Sequence, residues 1–177
     1  MKIVIDTSTF ISLAKTNNLH MLLNLKSELL IPYEVYEEAV IAGERKNIPD
    51  ATVIKKFVEN NNIRTIRVKD YYIKKLFSML KKRLTKGDSA ALALSVQEEV
   101  GVLITDDEGL GKIAMTLGFK VMASPDLLLQ SLKEGFAGFK EFEKNIRLLV
   151  IENRLSPVVA EFYMMEGKEY AENKKNG

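Results

Sequence analysis

The stretch Lys2-Ile3-Val4-Ile5-Asp6-Thr7-Ser8-Thr9-Phe10 decides the fold. Ile3, Val4 and Ile5 follow one another with no polar alternation, which suits a strand buried on both faces. Asp6 ends the run. Thr7, Ser8 and Thr9 supply capping side chains ahead of Phe10, Ile11, Leu13 and Ala14, which fall at helical spacing. A strand that turns this directly into a helix reads as the opening of an α/β domain.

The same alternation continues outward. A helix is expected over about Asn18–Lys26, then a strand at Leu29-Leu30-Ile31 closed by Pro32. Proline suits the first turn of a helix, and Val35, Ala39 and Ala42 continue it. After the turn Asn47-Ile48-Pro49-Asp50, a helix is expected over Ala51–Asn60 and a half-exposed strand over Ile63–Val68. Helices follow over Tyr71–Leu84 and Gly87–Glu99, split by Thr85-Lys86. Val102-Leu103-Ile104 is a third buried strand, Leu110–Leu117 a helix stopped by Gly118, and Phe119–Met122 a last strand. Ser124-Pro125-Asp126 opens a further helix. From Gly138 onward the chain reads as helical and charged, ending in a polar tail, Glu172–Gly177, expected to be disordered. Strands alternating with helices predict a mainly parallel sheet, with helices on both faces by the right-handed crossover rule. The expected division is a main domain over 1–134 and a helical extension over 135–177, with the boundary at Gly135-Phe136-Ala137-Gly138.

Composition narrows the chemistry. Of the 177 residues, 46% are hydrophobic and 28% charged, the balance of a globular chain able to bury a core. There is no cysteine, so disulfides, thiolate metal sites and cysteine nucleophiles are excluded, and a reducing cytoplasm is the expected location. Asp6 interrupts the apolar N-terminus too early for a signal peptide. No apolar run approaches the ~20 residues that span a bilayer, so no membrane is expected. The one histidine, His20, stands in Asn18-Leu19-His20-Met21-Leu22 with no acid or serine beside it, and reads as a surface or half-buried helix residue. What remains is carboxylate chemistry, which calls for hard cations.

Acids stand where such chemistry would sit. In open parallel sheets, sites form at the carboxyl ends of strands. Asp6 follows the first strand, and Asp106 and Asp107 follow Val102–Thr105. Glu37 and Glu38 come one turn after Pro32, and Asp88 starts the helix of Gly87-Asp88-Ser89-Ala90-Ala91. Each acid also has a structural explanation. Asp6 suits a helix cap, Asp88 with Thr85 resembles a capping box, Glu38 suits a solvated helix face, and Asp106-Asp107-Glu108 favours the next helix N-terminus. Together they differ. Unit charges ~4 Å apart repel by about 1 kcal/mol in water and about 4 kcal/mol at an effective dielectric near 20. A divalent ion offsets that cost, and without histidine or cysteine the ion is Mg²⁺ or Mn²⁺. Such a site suits phosphodiester hydrolysis by water, with no histidine base.

The order strand-Asp6-Thr7-Ser8, Ile31-Pro32-x-x-Val35-x-x-Glu38, Gly87-Asp88-Ser89-Ala90-Ala91-Leu92-Ala93 and Leu103-Ile104-Thr105-Asp106-Asp107-x-x-Leu110 resembles the PIN domain. This is the fold of VapC-type toxin ribonucleases and several RNA-processing nucleases. The likeness covers about residues 1–130. It implies a three-layer α/β/α sandwich and endonucleolytic cleavage of RNA at a Mg²⁺ or Mn²⁺ site. It implies catalytic roles for Asp6, Glu38, Asp88 and Asp107, with Asp106 also in the metal set. Glu38 rather than Glu37 matches by its place after Val35. A Thr-x-Asp pattern favours Asp107 over Asp106. Ser8 and Thr105 are implied to line the site. A homodimer and an antitoxin protein are the partners the likeness implies. The extension beyond Gly135 is longer than a minimal toxin of this kind carries.

Charge agrees with an RNA partner. The formal net charge is only +2, yet Arg64, Arg67, Lys69, Lys74, Lys75, Lys81, Lys82, Arg83 and Lys86 crowd one segment against the single acid Asp70. Lys82, Arg83 and Lys86 run straight into Asp88 and are expected to hold phosphates; an ordinary lysine-rich helix surface is the plainer reading. Tyr71, Tyr72 and Phe77 are expected to anchor the core rather than stack on bases. A haloacid-dehalogenase-type phosphatase would need a second Asp where Ser8 stands. A receiver-like phosphorylation domain would need the paired acids after the first strand rather than after Thr105. The rival outside enzymology is a PIN-like module that binds RNA or protein without cutting.

Overall fold

A computed structural model describes residues 1–80 and 84–176. The chain runs β1 (Lys2–Ile5), α1 (Thr7–Lys15), α2 (Met21–Asn24), β2 (Glu28–Pro32), α3 (Tyr33–Tyr36), a π-helical turn (Glu37–Ile41) and α4 (Ala42–Arg45). It continues α5 (Pro49–Asn60), β3 (Arg64–Ile66), α6 (Asp70–Leu80), α7 (Lys86–Gln97), β4 (Val102–Ile104) and α8 (Glu108–Thr116). Last come β5 (Lys120–Met122), α9 (Ser124–Lys133), α10 (Phe139–Ile151) and α11 (Pro157–Asn176).

The five strands form one sheet in the order β3-β2-β1-β4-β5, and every neighbouring pair is parallel. The pleat sends successive side chains to opposite faces, and β1 divides accordingly. Ile3 and Ile5 join Phe10 and Leu13 of α1 and Ile54 and Val58 of α5 in one core. Val4 joins Leu76 of α6, Ala90–Leu94 of α7 and Leu110 of α8 in the other. This is the three-layer α/β/α sandwich with a parallel sheet that the sequence implies. Ala90, Ala91, Leu92, Ala93 and Leu94 are all buried because α6 covers the outer side of α7.

A third core joins Leu128, Leu129 and Leu132 of α9 to Phe142, Ile146 and Leu149 of α10 and Ala160 of α11, with Met21 from α2. It spans the Gly135–Gly138 turn. The stretch from Gly138, expected to be helical, forms two helices. Asn153 takes a left-handed φ of 54° and Pro157 opens α11, a position proline favours. Gly167 lies so close to the Phe142 ring that a Cβ has no room there.

Several boundaries depart from expectation. The helix expected over Asn18–Lys26 contracts to four residues, flanked by left-handed backbone at Asn17 and Lys26. The polar stretch from Glu172, expected as a disordered tail, continues α11 through Asn176. Tyr71 and Phe77 do not anchor the core: they are 64% and 44% exposed. Only Leu76 of α6 is buried, because this outer helix rests on α7 along a narrow stripe. Tyr72 packs partly buried against the second core.

Candidate active site

The chain lays β1, β2 and β3 outward in one direction, then returns to place β4 on the other side of β1. The order reverses between β1 and β4, the crevice where open parallel sheets bind ligands. Ile5 pairs with Ile104 there, so Asp6 and Thr105 leave the sheet side by side.

Asp6 caps α1 and is 3% exposed. Its carboxylate accepts from the Thr105 hydroxyl at 2.7 Å, the Ser8 hydroxyl at 2.8 Å and the Thr9 amide at 3.1 Å. Burial, only partly offset by these donors, pushes its pKa up to about 6, and the Asp106 charge adds to the rise. A carboxylate held this near neutrality gains from a cation beside it. The two hydroxyls also reach across the switch point. Ser8 Oγ accepts from the Asp106 amide at 3.0 Å, and Thr105 Oγ1 accepts from the Asp107 amide at 3.0 Å. Ser8 and Thr105 therefore orient Asp6 and fix the backbone of the second acidic pair together.

Glu38 reaches the same edge from the other side. It lies in the π-helical turn, a local widening that recurs at functional sites. Its Oε2 accepts from the Thr7 hydroxyl at 3.0 Å. A Cβ on Gly87 would meet that oxygen at 2.6 Å, so the bare backbone at Gly87 makes the space Glu38 occupies. Glu37 turns elsewhere and pairs with Lys86 at 2.7 Å, which holds Glu37 below the usual carboxylate range and Lys86 above its own. Asp88, next to Gly87, donates its amide to Thr85 Oγ1 at 3.1 Å, one half of a capping box. Among the described residues no side chain donates to its carboxylate.

The paired acids after β4 do different work. Asp106 accepts from the Ser124 amide and hydroxyl, one on each oxygen, both at 2.7 Å, which fastens the start of α9. Asp107 caps α8 with one oxygen, accepting from the Leu110 amide at 2.7 Å. Lys86, expected on phosphate, is engaged with Glu37 instead. Lys82 and Arg83 lie outside the described residues. His20 is exposed, as expected.

The fold thus joins Asp6 to Asp106 and Asp107 through Ser8 and Thr105, and brings Glu38 to the neighbouring Thr7 and against the Gly87 backbone, next to Asp88. It does not close them into a cage: among the described residues no three acids stand close enough to hold a metal between them. Mg²⁺ is ordinarily held by one or two carboxylates and keeps several waters. A buried carboxyl raised toward neutrality and flanked by further oxygen donors fits such an ion.

A family model described as a PIN domain matches residues 2–163. The chain belongs to the PIN-domain family. PIN domains are generally nucleases that use divalent metal ions and act on nucleic acid. The matched span of this PIN domain takes in every acid above and extends through α10 into α11. Neither the curated proteins nor the solved structures give a match. Among the described residues, no helix of this PIN domain is long and apolar enough to cross a membrane.

Two features of the site escaped the sequence reading. Gly87 left a faint signal, a glycine in the first turn of a helix that is otherwise a good helix former. Arg154 left none. It lines a groove of about 450 Å³ that includes Asp106 and Asp107, and also one of about 340 Å³ that includes Glu38.

Proposed function

We propose that this chain is a Mg²⁺- or Mn²⁺-dependent endoribonuclease that hydrolyses RNA phosphodiester bonds at the β1–β4 switch point. The observation that carries the reading is Asp6: a nearly buried carboxylate with its pKa pushed up to about 6, oriented by three donors at the crevice of a parallel sheet. Asp6 would hold the ion directly, with Asp107, Glu38 and Asp88 reaching it through the waters that such an ion keeps. Asp107 is preferred to Asp106 on the Thr105-x-Asp107 pattern, and among the described residues only one of its oxygens accepts a hydrogen bond. When bound, the ion supplies Lewis-acid activation of water and neutralises charge on the phosphodiester. The chain's own part is to orient. Ser8 and Thr105 hold Asp6 in one rotamer, Thr7 and the gap at Gly87 hold Glu38, and the Asp106–Ser124 bonds fix the backbone that carries Asp107. A cytoplasmic location, a homodimer and an antitoxin partner belong to the same reading.

The test is RNA cleavage with Mn²⁺ or Mg²⁺ by wild type and by Asp6→Asn. Wild type is expected to cut and the variant not; equal cleavage by both would refute the assignment. The absence of a three-acid cage among the described residues favours one second reading, a module that binds RNA or protein without turnover. Calorimetric titration with Mn²⁺ separates the two, because only the nuclease reading requires the ion to bind and Asp6→Asn to abolish that binding.

A further inference from the structure

The turn between α10 and α11 is fastened on three sides. Inside it, the amides of Arg154 and Leu155 both donate to Leu149 O, at 2.8 and 3.2 Å, behind the left-handed Asn153. Toward α1, Glu152 accepts from Lys15 at 3.1 Å, and Lys15 also faces Asp50 at 3.6 Å. α1 is the helix that Asp6 caps. Toward α9, the Tyr163 hydroxyl donates to Asp126, whose other oxygen accepts from the Ala123 amide at 2.8 Å. Burial and Asp126 push the Tyr163 hydroxyl far above its ordinary pKa, so it stays a donor. The residue beyond Ala123 is Ser124, which Asp106 holds.

Arg154 stands in the middle of these ties, and it is the residue that the Asp107 groove and the Glu38 groove share. Its acidic neighbours are already engaged, Glu152 and Asp50 both facing Lys15. Among the described residues no carboxylate pairs with its guanidinium. A half-buried guanidinium without a counter-charge, on a rim of carboxylates, is placed for an anion brought by a ligand. Its planar fork matches two oxygens of one phosphate, which a lysine cannot do.

We propose that Arg154 binds a backbone phosphate of single-stranded RNA crossing the acidic edge from one groove to the other. The inference rests on the nuclease reading for its choice of substrate, but not on turnover. A polyanion approaching this edge meets Glu38 on one side and Asp106 and Asp107 on the other. Arg154 supplies the opposing charge between them and sets which phosphate faces Asp6. The helical extension thereby becomes part of the substrate site.

The experiment measures binding of a short fluorescent oligouridylate in chelator, where no cutting occurs, over ~50 to ~200 mM salt. Arg154→Gln is expected to weaken binding about tenfold and to lower the slope of log affinity against log salt by about 0.7, the value for one single-strand phosphate contact. Arg154→Lys keeps the charge and should keep the slope, yet lose several-fold in affinity with the fork. Under Mn²⁺, Arg154→Gln should raise KM about tenfold with kcat little changed. An unchanged slope in Arg154→Gln, or no RNA binding by wild type, overturns the inference. Should Arg154→Gln not fold, an affinity of Arg154→Lys equal to wild type overturns it. Arg154-dependent binding without cleavage by wild type would refute the nuclease reading and leave this one standing.

Discussion

Replacing Asp6 by asparagine should make the metal-free protein more stable at neutral pH while removing its activity. Asp6 is 3% exposed, and its carboxyl is raised from 3.8 to about 6, chiefly by burial. At ~1.4 kcal/mol per tenfold in the protonation equilibrium, keeping it ionised in the fold costs about 3 kcal/mol. Because the folded pKa lies above the unfolded one, the folded state binds more protons between the two values. The stabilising contribution is full below about 3.8 and is lost as pH rises through about 6. Asparagine carries no charge and escapes this loss, although it replaces one acceptor oxygen by a donor, so a gain of about 1–3 kcal/mol at pH ~8 is expected. For a chain of this size that is about 2–10 °C in Tm. The assay is urea unfolding of both proteins in chelator near pH ~5 and pH ~8. The advantage of Asp6→Asn should be about half developed at the lower pH and should grow and level off above about 7. A variant less stable than wild type at pH ~8, or a difference that does not change with pH, would refute the reasoning. Adding Mn²⁺ at pH ~8 should then raise the Tm of wild type and leave that of Asp6→Asn unmoved, since ligand stabilisation requires binding to the folded state.

Other outcomes follow from the same contacts. Gly87→Ala places a Cβ 2.6 Å from Glu38 Oε2, the far end of a flexible side chain, so the fold should persist with Tm equal to or above wild type. Cleavage should nonetheless fall at least tenfold, and undiminished cleavage would show that the place of Glu38 does not matter. Thr105→Val removes the shortest donor to Asp6 and the acceptor of the Asp107 amide. That donor lowers the Asp6 pKa, so the pH-dependent loss of stability in chelator should move to higher pH, as urea unfolding across pH would reveal. Gly167→Ala forces a methyl against the buried Phe142 ring and should destabilise by about 1–3 kcal/mol, read as a lower Tm. Normal stability would mean that α10 and α11 separate without cost.

The sandwich is readable from side-chain order because burial on both faces of a parallel sheet demands uninterrupted apolar runs. Ile3-Val4-Ile5, Leu29-Leu30-Ile31 and Val102-Leu103-Ile104 carry no other message. The same runs place Asp6 and Asp106–Asp107 at strand ends, so the acidic edge is legible as well. What the order of residues does not contain is distance. Glu37 and Glu38 are chemically alike, and only the π-helical turn sends one to Lys86 and the other to Thr7. Asp106 and Asp107 are equally alike, and the approach of Ser124 from α9 occupies the first. Tyr71 and Phe77 have the composition of core residues, and only the stacking of α6 on the outside of α7 leaves them in solvent. Arg154 is the furthest case. It is some 47 residues from Asp107 and sits in the turn between two charged helices, and its place beside the acids comes from Lys15, Glu152, Tyr163 and Asp126 closing across the fold. Local periodicity determined the layers, because burial acts on each element separately. Tertiary packing alone decided which like residues meet, because those contacts join elements that sequence spacing leaves unrelated.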